Sequence, residues 1–388
     1  MFGIQSLIDT DTYKLTMQQA VLEHYPDAQA TYVFNNRGKT KFPDAFADTL
    51  RMQVGQMSQL HLSVDEGHFL QKMRFLKPWY VEYLRNYRFK PEEVTIGQDE
   101  NGLKVSIAGP WASTILWEVP LMALICETKY AFEERTSEKL LQDFCLRTST
   151  KRDNLFHSEV IHSDFSTRRR RSFEVQDKAV EILKTSPMFF GTSNPYLALK
   201  HGVSCQGTMA HEWIMAHSAL CSLRHANRHA LDAWTKTYRG DNGIALPDTF
   251  GSDIFFEDFD LFNSKLFDGV RHDSGDPKVF ADKTIAHYEK MRIDPKSKLI
   301  VFSDSLNVDK AIDITNYCRG KIRSSCGIGT HFSNDFPGMS PALNIVIKLA
   351  SLNGIPVVKL SDTPSKAIGD KDAIRVANWT FFNKPLDA

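Results

Sequence analysis

The residues best suited to chemistry are spread along the second half of the chain. His211-Glu212 follows Gly207-Thr208-Met209-Ala210. A histidine beside a carboxylate suits nucleophilic or general acid–base work. Asp248, at the end of the apolar run Ile244 to Leu246, is the candidate that orients the imidazole. Zinc is rejected: the two-histidine helical site needs His at i and i+4, and here the next is His217, six residues on. Gly327-Ile328-Gly329-Thr330 offers close backbone N–H groups and a hydroxyl, the makings of a phosphate cradle. Ser303-Asp304-Ser305 precedes a helix and would complete that cup. Arg168 opens a run of four arginines directly after Phe165. Its guanidinium suits bidentate phosphate binding, and Phe165 offers a face to a flat ring. Arg271-His272-Asp273-Ser274-Gly275-Asp276-Pro277 combines an anion-binding Arg with carboxylates for sugar hydroxyls or hydrated Mg²⁺. Each has a plain alternative. Gly-rich turns are common, Ser and Asp cap helices, an arginine run is usually a solvated face, and lone histidines are often structural.

What weighs against the plain alternatives is the elements that carry these residues. After about residue 155 short apolar runs alternate with amphipathic helices: 160–165 with 172–183, 188–191 with 194–201 (Gly202 as C-cap), 204–207 with 210–220, 266–270 with 278–291, 298–302 with 305–317, and 355–360 closing the series. Repeated strand–turn–helix units imply parallel strands and crossover helices. Their number favours a closed or nearly closed β/α barrel, whose site lies at the strand C-terminal ends. The polar clusters above fall at those ends. Before residue 110 helices and strands mix. A helix is expected over 12–25 with Asp11 as cap, a strand over 30–34, and a half-buried strand through Leu103, Val105 and Ile107. The expected fold is therefore α/β: an N-terminal α/β domain (1–110) and a barrel domain (111–388).

Composition excludes several classes. With 42% hydrophobic and 24% charged residues the chain of 388 is ordinary and globular. Lys+Arg and Asp+Glu are both 47, so no basic excess points to nucleic acid or a membrane surface. The apolar run Ile115 to Cys126 is too short to span a membrane and is broken by Glu118 and Pro120. The N-terminus lacks the pattern of a signal peptide. Six scattered Cys without a CxxC pair suggest reduced thiols and a cytoplasmic protein. Ile254-Phe255-Phe256-Glu257-Asp258 superficially matches a phosphoribosyl diphosphate (PRPP) loop but lacks its Gly/Thr-rich continuation. There is no Walker loop either, so any use of ATP must proceed without one.

The ordered set of motifs resembles the nicotinate phosphoribosyltransferase family. It comprises Thr10-Asp11-Thr12-Tyr13-Lys14, Asp164-Phe165-Ser166-Thr167-Arg168, Gly191-Thr192-Ser193-Asn194, Gly207 to Glu212, Arg271 to Pro277, Ser303-Asp304 and Gly327 to Thr330. The resemblance implies a type II phosphoribosyltransferase fold and an ATP-coupled synthesis of nicotinate mononucleotide in NAD salvage, with Mg²⁺. It implies a homodimer with shared sites, in which nicotinate stacks between Phe165 and Tyr13 of the neighbouring subunit. Arg271 would pair with the nicotinate carboxylate. Ser193 would favour the acid, where the nicotinamide-using relative carries Asp. Asp273 and Ser303 would serve the ribose side; Asp304, Gly327, Gly329 and Thr330 would surround the 5′-phosphate. Arg168 and Arg37 would lie near the diphosphate, and His211 would be the phosphorylated histidine. Arg169, Arg170 and Arg171 receive no role. Other readings are a nicotinamide or quinolinate enzyme and a non-catalytic phosphosugar sensor on the same barrel.

Overall fold

The computed structural model describes residues 3–133, 136–363 and 366–384. Twelve strands are numbered in chain order: β1 Gln29–Asn36, β2 Val94–Asp99, β3 Gly102–Pro110, β4 His162–Asp164, β5 Phe189–Thr192, β6 Arg239–Asn242, β7 Ile244–Ala245, β8 Gly269–His272, β9 Leu299–Phe302, β10 Arg323–Ile328, β11 Ile345–Leu352 and β12 Ile355–Pro356.

One sheet has the order β5-β4-β10-β9-β8-β7, with every pairing parallel. Cys205 adds a parallel bridge to Thr192 beside β5. From the same segment the Thr208 hydroxyl donates to the Ile244 carbonyl on β7, 2.7 Å away. The strands and the 205–208 segment thus form a ring, irregular where that segment replaces a full strand. Helices return the chain between them, as the periodicity requires. Ser172 caps Phe173–Leu183, Asn194 caps Pro195–His201, and Gly202 ends the latter at φ 65°.

The second sheet is antiparallel, order β12-β11-β1-β3-β2. β1 sits between β3 and β11, pairing Ala30 with Gly109 on one side and Leu352 on the other. So the segment 355–360 does not close the barrel series: β12 pairs back on β11 at the edge of the antiparallel sheet. The sheet draws three strands from before residue 110 and two from the far end. The apolar run at 115–126 is the start of a buried helix, Glu118–Glu133, between the two sheets' helices. No helix among the described residues is long and apolar enough to cross a membrane.

Two local expectations change. The helix after β9 starts at Val308, capped by Asn307, which leaves Ser303, Asp304 and Ser305 in an open turn. Asp11 occupies the N-cap position of Thr12–His24 but its carboxylate makes no cap bond; it accepts from Ser193 instead.

Candidate functional site

The strand C-terminal ends converge on His211, the first residue of helix His211–Leu220. Its Nε2 lies 2.7 Å from Asp248 Oδ1. The other oxygen of Asp248 accepts from Ser274 Oγ at 2.6 Å and pairs with Lys359 Nζ at 2.9 Å. Asp273 Oδ2 is 3.8 Å from the same imidazole nitrogen, and its Oδ1 accepts from Ser303 at 2.8 Å. Among the described residues no hydrogen bond engages Nδ1 of His211. Burial, with the Lys359 ammonium adding to it, lowers the pKa of His211 to about 4. Burial opposes ionisation of Asp248, yet the imidazole and the ammonium outweigh it and hold the carboxyl well below its usual range. At neutral pH the pair is an anion and a neutral ring, with a proton on Nε2 and a lone pair on Nδ1.

Beside this pair lies the expected anion cup. Parallel pairing of Cys326 with Phe302 puts the ends of β9 and β10 next to each other, so Ser303-Asp304 and Gly327-Ile328-Gly329-Thr330 are neighbours. Asp304 does not stand as a free anion there: Lys366 Nζ is 2.6 Å from its carboxylate. Gly327 is required by close approach. A Cβ on it would sit 2.2 Å from the Phe165 ring. Phe165 is tied to the same turn through its N–H, 2.9 Å from the Ile328 carbonyl. Phe165, Arg271, Gly207, Thr208 and Gly327 line one cavity of about 670 Å³.

Tyr13 is brought to this site by its own chain. Thr12 N–H donates to the Ser193 carbonyl at 2.7 Å, and a Cβ on Gly207 would meet the Tyr13 backbone at 3.5 Å. Arg168 and Arg271 both act electrostatically on its phenol. The Tyr13 hydroxyl is buried without a hydrogen-bond partner. Within one chain the buried helix Thr12–His24 packs on the barrel, so Tyr13 of the same chain lies beside this site. Ser193 is likewise placed differently from its expected role. It is 3% exposed, and its hydroxyl donates to Asp11 at 2.6 Å rather than into the cavity.

The four arginines divide. Arg168 and Arg169 are half-buried, and Arg168 lies 3.6 Å from Glu118 and 3.9 Å from Asp11. Arg169 lies within electrostatic reach of Arg168, Arg37 and Asp273. Arg170 is fully buried, bonded to Asp9, Glu127 and Gln176, and Arg171 lies 4.2 Å over the Tyr130 ring. A solvated basic face does not describe the last two; they are anchors for the N-terminal segment and the Glu118–Glu133 helix. Arg37 ends β1, half-buried, and burial depresses its pKa.

Sequence reasoning missed three lysines. Lys359 holds Asp248, Lys366 holds Asp304, and Lys348, buried 3.4 Å from Glu118, has its pKa lowered by burial to about 8. A signal existed for Lys359: a lysine inside the apolar run Val357-Val358-Lys359-Leu360 must find a buried anion. His211, Asp248 and Asp273 bring donor atoms within 4.8 Å of one another. Asp248 is already neutralised by Lys359, so of these three Asp273 is the carboxylate suited to a divalent cation.

The comparisons agree with this architecture. Residues 160–385 match the model of the nicotinate phosphoribosyltransferase (NAPRTase) family, and residues 8–126 match that family's N-terminal domain. Nicotinate phosphoribosyltransferase of Methanosarcina mazei is 49% identical over 99% of this chain and all of that protein. The enzyme of Chromohalobacter salexigens is 46% identical over 96% of this chain and 97% of its own. Among solved structures, nicotinate phosphoribosyltransferase from Porphyromonas gingivalis superposes with a TM-score of 0.94 at 38% identity, covering 97% of this chain and 99% of that one. With a buried imidazole–carboxylate pair beside a glycine-lined turn on this barrel, and with both family models matched, the chain belongs to the nicotinate phosphoribosyltransferase family.

Proposed function

We propose that the protein makes nicotinate mononucleotide and diphosphate from nicotinate and PRPP, coupled to ATP through a phosphohistidine, in the salvage of nicotinate for NAD. The observation that carries the reading is the His211–Asp248 pair, with Nε2 held at 2.7 Å and Nδ1 unengaged.

That geometry suits phosphoryl transfer to Nδ1. The γ-phosphorus–oxygen bond of ATP breaks, an Nδ1–P bond forms, and ADP departs. The ring becomes cationic as it is phosphorylated, and Asp248 stabilises that charge through the Nε2 proton. Water later breaks the N–P bond and releases phosphate. In the ribosyl transfer the nicotinate nitrogen attacks the anomeric carbon as diphosphate leaves. Arg168, with Arg37, would stabilise the leaving group's charge; Asp273 and Ser303 would hold the ribose hydroxyls. Gly327, Gly329 and Thr330, with the Asp304–Lys366 pair, would hold the 5′-phosphate. Mg²⁺, arriving with the diphosphate and touching Asp273, would neutralise the departing oxygens.

Phe165 and Tyr13 would bracket the pyridine, and Arg271 would pair with its carboxylate. Ser193 would favour the acid indirectly. An Asp in its place would set a second carboxylate at hydrogen-bond range of Asp11. A homodimer with shared sites remains part of the proposal.

The test is a product assay with nicotinate, PRPP and Mg²⁺, with and without ATP. Nicotinate mononucleotide should form, faster with ATP. Labelled ATP should give an acid-labile, alkali-stable phosphoprotein that His211→Ala lacks. Absence of product would refute the reading; absence of label alone would refute the coupling.

A further inference from the structure

A closed parallel barrel is ordinarily filled by layers of branched side chains. This one is not. The residues facing its interior are small along one wall: Ser163 on β4, and Ser325 and Gly327 on β10. Beside β10, Leu299 and Val301 on the neighbouring β9 stay half-buried rather than fully enclosed. The result is that the cavity bounded above by Phe165, Arg271 and Gly207 does not end beneath them. It continues between the strands to their N-terminal ends, where Ile161 and Phe190 are exposed at 44% and 59%. That far mouth carries Lys296, Arg319 and Arg323 against the single carboxylate of Glu159. Arg319 pairs with Glu159 at 2.7 Å. Arg323 reaches the Ser297 carbonyl at 2.8 Å, and Lys296 is exposed without an ion pair. The mouth is therefore net cationic and faces away from the phosphate cup.

We propose that the barrel lumen is an entry channel for the aromatic carboxylate substrate, drawn in by the cationic mouth at the strand N-terminal ends and delivered to Phe165 and Arg271 from below. This inference rests on the reading of the site given above. A phosphorylated sugar diphosphate seated on the Gly327–Thr330 turn would cover the base subsite from the catalytic face. An axial route keeps that subsite reachable once the larger substrate is bound. Cations at the entrance raise the local concentration of an anion and its entry rate. The Ser and Gly wall leaves room for a flat ring, and the largely apolar remainder of the lining suits its faces.

Two measurements decide it. Ser325→Phe places a ring across the lumen, away from the phosphate cup. By obstructing the route it should lower kcat/KM for nicotinate at saturating PRPP by about tenfold, within the one to three decades over which association rates vary among variants of one site. The KM for PRPP should stay unchanged. An unchanged kcat/KM for nicotinate would overturn the channel. Should Ser325→Phe fail to fold, Val301→Cys decides instead. Residue 301 lies midway along the lumen, in the stretch 299–310, which holds no native cysteine. Methanethiosulfonate reagents should modify it with PRPP present, the sulfonate form faster than the trimethylammonium form. Lys296→Glu with Arg323→Glu should abolish that preference. No modification of the folded variant, or no charge preference, would refute the channel. If the wild type makes no nicotinate mononucleotide, the functional reading fails, and the labelling alone still judges the channel.

Discussion

Lys359 sets its ammonium 2.9 Å from the Asp248 carboxylate, on the oxygen that His211 does not use. The buried anion is thereby shared between an imidazole and a permanent cation. This has a direct consequence for the imidazole. The ammonium opposes protonation of His211, so the ring stays neutral and nucleophilic well below neutral pH.

Replacing Lys359 with Met should therefore raise the pKa of His211 and move the acid limb of His211 phosphorylation to higher pH. Because burial still lowers the His211 pKa, which lies at about 4 in the native protein, the phosphorylation rate should fall in mildly acidic buffer and change little at pH 7. Lys359→Arg should restore the limb. A rate–pH profile of labelling with ATP checks both; an unmoved limb in the Met variant would refute the role.

Stability should also carry the mark of buried neutral histidines. His162, His211 and His217 each have their pKa pushed down to about 4, chiefly by burial. In the unfolded chain they titrate near the ordinary value of about 6.5. Between those values the unfolded state binds more protons, so stability falls as pH drops from about 6.5 towards 4. Each group accounts for up to roughly 3 kcal/mol. Urea melts across that range should show the midpoint falling, and His217→Phe should flatten the slope.

Gly327→Ala should act on binding rather than on folding. The added methyl would collide with the Phe165 ring, 2.2 Å away, and the ring must tilt to make room. Nicotinate affinity should drop at least about tenfold while the thermal midpoint changes little. Fluorescence or calorimetric titration with nicotinate measures it.

Arg170→Met should do the opposite. It strands Asp9 and Glu127 in the interior, both now bonded to one guanidinium. A loss of about 3–5 kcal/mol is expected, because an unpaired buried charge is left behind. Chemical denaturation gives the figure, and Arg170→Lys should rescue it only in part, lacking the planar fork.

Ser193→Asp should shift the preference from nicotinate towards nicotinamide. The new carboxylate would face that of Asp11, now 2.6 Å from the serine hydroxyl, and would repel an acid substrate. The ratio of kcat/KM for the two bases is the readout; an unchanged ratio would remove residue 193 from specificity.

The barrel half of the fold was legible because its periodicity is local. Each strand–turn–helix unit announces itself within about 25 residues, and Ser172, Asn194 and Gly202 punctuate as their chemistry demands. The polar strand ends then located His211, Asp248, Asp273 and the glycine turn. What was hidden is non-local. Nothing near residue 355 reveals that β12 pairs with β11 and, through it, with β1. Lys366 and Lys348 resemble any surface lysine until the fold gives them Asp304 and Glu118. Ser193 was read as facing substrate because its hydroxyl's partner, Asp11, lies far away in sequence.

The central position of β1 between β3 and β11 shapes how the chain is made. The ribosome releases β1 long before the register partner of Ala30, Leu352, which follows 322 residues later. Until then one edge of that strand stays open, while the barrel units can close as they appear. The antiparallel sheet is therefore the last part to be sealed, and a chain truncated before residue 345 would be left with an aggregation-prone edge rather than a smaller folded protein.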